Sequence, residues 1–369
     1  MIEYENVLKY MKQFDKKKYF SSYSSADLFL NYFNKKRYIY SFINNFLETS
    51  VGIQLFTNSD GFNYVHDILT LNGENMLIAG KMDSICAIFL DKVFLTDEDI
   101  EYIHKMGHKV KKEKNLIIYR YQVGYMKRYA NKKEMQELMD NCEFIMSYVA
   151  DNYNDSINAF SNDKFPISFI NEEKLEYNTA YLPLPNLSIM PRKMPVNEQV
   201  INEFKKIPYS GEECYMFCAY TPLIIQENGI RPVLLYFLFP ERNKVIFKYI
   251  TDSPKEYKNY IFGILDDVFS KEGLPEKIFI NDRHFYSFLA KTFDKLNIEY
   301  ELLLEDNDVD MSLMNAIERL YHNSEELYKE SKDGIEMVLE LIISELNSLS
   351  EMMSEEEDFE SPDKEKIVV

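Results

Sequence analysis

Three sets of side chains in this sequence have the types and spacing to do chemistry. The first is centred on Asp282, which follows the short apolar run Lys277-Ile-Phe-Ile280 and Asn281 and precedes Arg283 and His284. A carboxylate at the carboxyl end of a strand is where open α/β sheets collect their ligands, and it is equally the N-cap of any helix that starts there. The second is His104 and His108, whose i, i+4 spacing would put two imidazoles on one helix face. A zinc-peptidase motif needs Glu after the first His; Lys105 stands there, and Gly107 is placed to end the helix before His108, so both read as surface histidines. The third is the set of four cysteines, Cys86, Cys142, Cys214 and Cys218. They form no Cys-x-x-Cys pair. At strand rise Cys214 and Cys218 lie about 13 Å apart, too far to bridge. The pattern points to reduced thiols and a cytoplasmic protein.

The elements that must position Asp282 are well marked. Ser253 and Glu256 read as a capping box with Pro254 at the first helical position; Tyr257, Ile261, Ile264, Leu265 and Val268 form the apolar face, and Gly273 stops the helix. The strand ending at Ile280 comes next. A helix follows with Phe285, Phe288, Leu289, Thr292 and Leu296 on one face, then a strand through Ile298, Tyr300 and Leu302. Upstream, the segments starting at Cys214, Pro232 and Lys244 read as a three-stranded antiparallel meander, with turns at Asn228-Gly229 and Pro240–Asn243. Downstream, Asp310 caps an expected helix carrying Leu313, Met314, Ile317 and Tyr321.

The first half reads as α+β. Residues 1–35 are expected as helix, with Val7, Tyr10, Met11 and Phe14 inward and Ala26–Phe33 continuing after a Ser-rich break. Paired strands are expected at Arg37–Ile43 and Val51–Thr57, and further strands at Asp83–Leu90 and Leu116–Gln122. Ser59 or Asp60 is placed to cap a helix running to Leu71. Thr96-Asp-Glu-Asp99 opens a short helix as a capping box, and Lys132–Tyr153 forms a long one. Residues 155–210, interrupted by six prolines, read as a connector with one short helix at Asn197–Lys206. The expected organisation is therefore an α+β domain at 1–154, the connector at 155–210, an α/β domain at 211–323, an amphipathic helix at 324–353 and an acidic disordered tail at 354–369.

Composition excludes some functions. The 369 residues carry a net charge of −19, which argues against broad nucleic-acid binding, since phosphate neutralisation supplies most of that affinity. The opening Met1-Ile-Glu-Tyr-Glu is too acidic for a signal peptide, and no apolar run is long enough to span a membrane. In the last helix, Ile335, Val338, Leu339, Ile342, Leu346, Leu349 and Met353 repeat at 3–4 spacing. That stripe needs covering, by the N-terminal domain or by a second copy. It is the expected route to a protein partner or to self-association, while Glu336, Glu340, Glu345 and Glu351 take up the solvated surface.

The order of three antiparallel strands, helix, strand, helix, strand, helix is that of the ribonuclease H-like fold. Gly273 to Phe288, G-L-P-E-K-I-F-I-N-D-R-H-F-Y-S-F, resembles the second-acid segment of retroviral integrases and related transposases. The resemblance implies a mixed five-stranded sheet and casts Asp282 as the second catalytic, metal-binding acid. It casts Glu318, with 35 residues between the two, as the last acid, the pair holding Mg²⁺ or Mn²⁺ for phosphodiester cleavage. The first acid is missing, since Cys214-Tyr-Met-Phe-Cys-Ala-Tyr-Thr-Pro-Leu223 contains none. The whole chain also resembles an uncharacterised two-domain bacterial family. That match rests on Ala26-Asp-Leu-Phe29, on Gly52-Ile-Gln-Leu-Phe56 with Asp60-Gly61, and on Leu95 to Tyr125. Two functions follow as expectations. The first is a non-catalytic interaction protein, without cofactor, on a degenerate ribonuclease H-like scaffold; the second is a metal-dependent phosphodiesterase using Asp282 and Glu318. The incomplete acid set ranks the first ahead.

Overall fold

A computed structural model of the chain describes residues 2–22, 28–33, 36–44, 50–57, 60–65, 82–151, 164–171, 176–183, 198–221, 224–225, 228–253, 256–303 and seven positions near the C-terminus, 333, 336, 337, 339, 340, 343 and 344. It divides into two compact units, residues 1–74 with 81–189 and residues 75–80 with 190–369.

The N-terminal unit is an eight-stranded sheet with helices α1 (Ile2–Lys16), α2 (Tyr19–Ser22), α3 (Asp97–Lys105) and α4 (Lys132–Asp151). Its strands are β1 (Leu28–Phe33), β2 (Lys36–Asn44), β3 (Ser50–Phe56), β4 (Ser84–Leu90), β5 (Asn115–Tyr121), β6 (Arg128–Tyr129), β7 (Lys164–Asn171) and β8 (Glu176–Pro183), ordered β6-β5-β4-β3-β2-β1-β7-β8. Val7, Met11 and Phe14 of α1 form a core with Phe42, Ile53, Leu55, Ile117 and Leu138. The Tyr4 hydroxyl donates to the Leu116 carbonyl at 2.8 Å, tying helix to sheet. Gly52 has a steric reason: a Cβ there would lie 2.4 Å from the Ala87 carbonyl oxygen on β4. Thr96 caps α3 with the expected reciprocal box to Asp99.

Two readings of this half need correction. Leu28–Phe33, expected as helix, is β1, pairing antiparallel with β2 and parallel with β7. A six-residue apolar and aromatic run fits either period, and the sheet decides it. The expected connector contributes β7 and β8, paired over eight positions. Pro166 lies just outside the Ile167–Phe169 stretch that pairs with β1, so its missing N–H leaves that ladder intact.

The C-terminal unit is a five-stranded mixed sheet. Its strands are β9 (Glu213–Tyr220), β10 (Val233–Phe239), β11 (Lys244–Ile250), β12 (Lys277–Ile280) and β13 (Glu299–Leu302), in the order β11-β10-β9-β12-β13. β9, β10 and β11 form the antiparallel meander; β12 lies parallel to both β9 and β13. Helices α5 (Glu198–Phe204), α6 (Tyr257–Glu272) and α7 (Arg283–Leu296) bury Phe204, Ile261, Leu265, Phe269, Phe285, Leu289 and Phe293. α6 starts later than the Ser253 box implies. Its cap position is Glu256, without a side-chain bond, and Ser253 instead accepts the Glu256 N–H through its carbonyl in a preceding turn. Gly273 ends α6 at φ 90°, a conformation that favours glycine, and a Cβ there would also press on Ser210.

The other sheet face carries Phe217, Ala219, Leu234, Tyr236 and Phe247 as a buried cluster, with Phe217 and Tyr236 stacked at 4.6 Å. Leu339 is fully buried and Ile343 packs on this cluster. The last amphipathic segment therefore packs on the sheet of its own unit, where the N-terminal domain or a second copy had been expected. The helix expected at Asp310–Tyr321, Glu318 with it, and the acidic tail lie outside the described residues.

Candidate functional site

The carboxyl end of β12 is built from the residues the sequence singled out. Ile278 and Ile280 are buried on one face of the sheet, and parallel pairing sets the strand's end beside β9. Asn281 closes the gap: its Oδ1 accepts the Cys218 N–H at 2.7 Å. Asp282 then adopts an extended conformation, φ −120° and ψ 127°, and caps α7. Its Oδ1 accepts the N–H groups of His284 at 2.9 Å and Phe285 at 3.1 Å. The residue is only 3% exposed. A carboxylate buried at a helix N-terminus is held by two otherwise orphan donors and by the helix dipole. Both expected roles start from this position, and the described hydrogen bonds belong to the cap.

A metal centre needs more acids here. Ile280 registers with Met216, so the β9 residues beside Asn281 and Asp282 are Phe217 and Cys218, neither of them a ligand acid. Glu213 is the one carboxylate in β9, and it registers with Lys277 at the opposite end of the strand. Asp252 follows β11, and β10 and β9 stand between β11 and β12. At ~4.8 Å per strand it is about 14 Å away, beyond the reach of any metal shared with Asp282. Among the described residues no three His, Cys, Asp or Glu side chains converge as a metal site. Glu318, the acid that the resemblance pairs with Asp282, lies outside the described residues.

One acid at this edge escaped sequence analysis. Glu336, assigned there to the solvated surface, accepts a hydrogen bond from the hydroxyl of Thr251, a buried residue just past β11. One turn on, Glu340 accepts from the Tyr249 hydroxyl at 3.1 Å; burial and that carboxylate push Tyr249 up to about 12. The signal was available, since Glu336 and Glu340 flank Leu339 at the i, i+4 spacing of one face. These acids dock the segment along β11.

The opposite, amino-terminal edge of the same sheet holds the unit's ion network. Glu272, at the end of α6, has a side chain only 3% exposed and takes Arg242 at 2.6 Å and Lys244 at 2.8 Å. Arg242 also reaches Glu212 at 2.7 Å. The other candidates resolve as structural parts. All four cysteines are buried, and none forms a disulfide. Burial raises the Cys86 thiol to about 12 and pushes those of Cys142 and Cys214 higher still, so they are poor nucleophiles. Gly107, at φ 87°, follows the end of α3, and His108 Nε2 sits 2.7 Å from Glu5 Oε1 with its ring 5.2 Å from that of Tyr4.

Comparison with known proteins gives domains rather than an activity. Residues 4–167 match the domain of unknown function DUF7309, and residues 200–307 match the domain of unknown function DUF6930. The succession supports an uncharacterised two-domain family. No curated protein matches the chain. Among solved structures, a chain of the simian T-cell lymphotropic virus intasome in complex with PP2A regulatory subunit B56 gamma is 10% identical, with a TM-score of 0.26, over 41% of this chain and 51% of that one. This chain thus spans about half of its length. The catalytic core domain of BIV integrase is also 10% identical with a TM-score of 0.26, over 37% of this chain and 84% of that one. No helix among the described residues is long and apolar enough to cross a membrane.

Proposed function

We propose that the C-terminal unit is a ribonuclease H-like domain that works as a non-catalytic interaction scaffold, recognising a protein partner without a divalent-metal cofactor. The fold part rests on topology: counted from β9, the sheet runs 3-2-1-4-5, with the first three strands antiparallel and the last two parallel to the first. The non-catalytic part rests on one observation. The carboxylate that resemblance to integrases casts as the second acid is buried in a helix cap, beside a strand that offers Phe217 and Cys218 where an acid would be required. Two-metal phosphoryl transfer depends on a carboxylate shared between both ions, and removing that anchor removes the geometry that stabilises the attacking and leaving oxygens.

Thermal melting with Mg²⁺ or Mn²⁺ added to millimolar concentration tests this reading. A ligand that binds only the native state raises the melting temperature, increasingly as its concentration exceeds its dissociation constant. The expected result is no shift in the wild-type chain. A concentration-dependent shift that vanishes in both Asp282→Asn and Glu318→Gln would replace the scaffold with the metal-dependent phosphodiesterase.

A further inference from the structure

The N-terminal unit carries a surface whose charge runs against that of the chain. Between β4 and α3 a 3-10 turn, Lys92–Phe94, presents two apolar side chains to solvent: Val93 is 83% exposed and Phe94 53%. The turn is fixed rather than loose. The Lys92 N–H donates to the Lys112 carbonyl at 3.0 Å, and the Phe94 N–H to the Asp91 carbonyl at 3.0 Å. Its neighbour is a lysine-rich loop pinned by buried Asn115. That side chain accepts the Lys111 N–H at 2.7 Å and donates to the Lys111 and Leu90 carbonyls. Lys92, Lys111 and Lys112 are exposed around the apolar pair, and Lys16 and Lys17 follow nearby at the end of α1, which Lys114 joins through its 2.7 Å bond to Asp15. The nearby acids are fewer than the lysines: Asp91 accepts the Lys114 N–H, Glu113 lies 3.7 Å from Lys112, and Asp97 and Glu98 are exposed at the start of α3.

We propose that this lysine-ringed Val93–Phe94 protrusion is a peripheral docking site for an anionic phospholipid surface. Exposed apolar side chains on a rigid turn enter the interfacial region of a bilayer, while lysines keep their ammonium groups at the headgroups. Each lysine near an anionic leaflet contributes about fivefold in partition. The net charge of −19 does not cancel this, because charges beyond roughly 8 Å are screened at physiological ionic strength. Nucleic acid is the weaker fit. The patch holds no arginine among the residues named, and Phe94 alone is a poor platform for stacking successive bases. The site is peripheral in kind and separate from the proposed scaffold.

The test is co-sedimentation of the full chain with vesicles of phosphatidylcholine alone or with phosphatidylserine added. Binding is expected only to the anionic vesicles. It should fall on the order of a hundredfold in the triple variant Lys92→Gln/Lys111→Gln/Lys112→Gln, and about tenfold in Val93→Ser/Phe94→Ser. All these positions are exposed, so both variants should melt like the wild type. Failure to bind anionic vesicles at low salt overturns the proposal, as does equal binding to neutral vesicles or unchanged binding by the triple variant. Capture of a single-stranded oligonucleotide by the same lysines, with no vesicle binding, overturns it in favour of nucleic acid.

Discussion

The two ends of the C-terminal sheet use their acids differently. At the amino-terminal end, Glu272 and Glu212 are neutralised by Arg242 and Lys244 in a network that joins α6 to the β10–β11 turn and the start of β9. At the carboxyl end, where α/β sheets usually place their ligands, Asp282 is consumed by a helix cap and Glu336 by the Thr251 hydroxyl. The difference teaches that an acid at the right end of a strand is not yet a site. What matters is what its oxygens already accept, and at this end Asp282 Oδ1 takes two helix N–H groups while Glu336 takes a hydroxyl.

The largest effect should come from uncovering the aromatic face. A chain ending at residue 334 loses Leu339 and Ile343 and leaves Phe217, Tyr236 and Phe247 without their cover. It should aggregate, which light scattering during a thermal ramp will show, whereas a chain ending at residue 353 should melt like the full-length protein. A milder version, Leu339→Ala, should cost about 3 kcal/mol in urea unfolding, from lost burial plus a cavity. If either change is neutral, the segment is no structural part of the carboxyl end.

The amino-terminal end is broken by Glu272→Ala. Arg242 and Lys244 are part-exposed, with side chains 35% and 42% accessible, so they regain water when their partner goes. The expected cost is about 2 kcal/mol, below that of a fully buried pair. The N-terminal unit supplies a control in Asp99, another buried cap acid. Burial alone would raise its pKa, but the hydroxyls of Tyr119 at 2.6 Å and Tyr129 at 2.9 Å and the Thr96 N–H at 3.0 Å together hold it below the usual carboxylate range. A depressed folded pKa gives stability that is present above the unfolded value near 4 and lost as pH falls through the folded one. Asp99→Asn should therefore cost about 1.5 kcal/mol at neutral pH. The gap from wild type should close on acidification below pH ~4, as followed by urea midpoints at several pH values.

Much of the C-terminal unit was legible because its signals are local. Gly273, the turns that bound β9 to β11 and the apolar face of α7 are each legible without help from elsewhere. The N-terminal sheet was less so. Besides their hairpin partners β2 and β8, β1 and β7 pair with each other across more than 130 residues, and no local pattern encodes that. The run of Leu28–Phe33 suits a helix as well as a strand, and Pro166 disguises β7. At the candidate site, the position of Asp282 and its cap on the following helix could be read from the chain, but not the contacts around it. The Asn281 side chain bonding Cys218, 63 residues away, and Glu336 reaching Thr251 depend on tertiary placement that spacing does not reveal.

The central claim is that Asp282 is spent on holding α7, and its side chain can be varied to separate that role from chemistry. Ser and Asn cap helices nearly as well as Asp, whereas Ala cannot cap at all. Urea unfolding of Asp282→Ser, Asp282→Asn and Asp282→Ala, each with and without millimolar Mg²⁺, is the most direct measurement. The account predicts Ser and Asn variants within a few tenths of a kcal/mol of wild type, the Ala variant about 1 kcal/mol less stable, and no effect of Mg²⁺ on any of them. It is contradicted if all three variants are as stable as wild type or more so without metal, and Mg²⁺ stabilises the wild type alone.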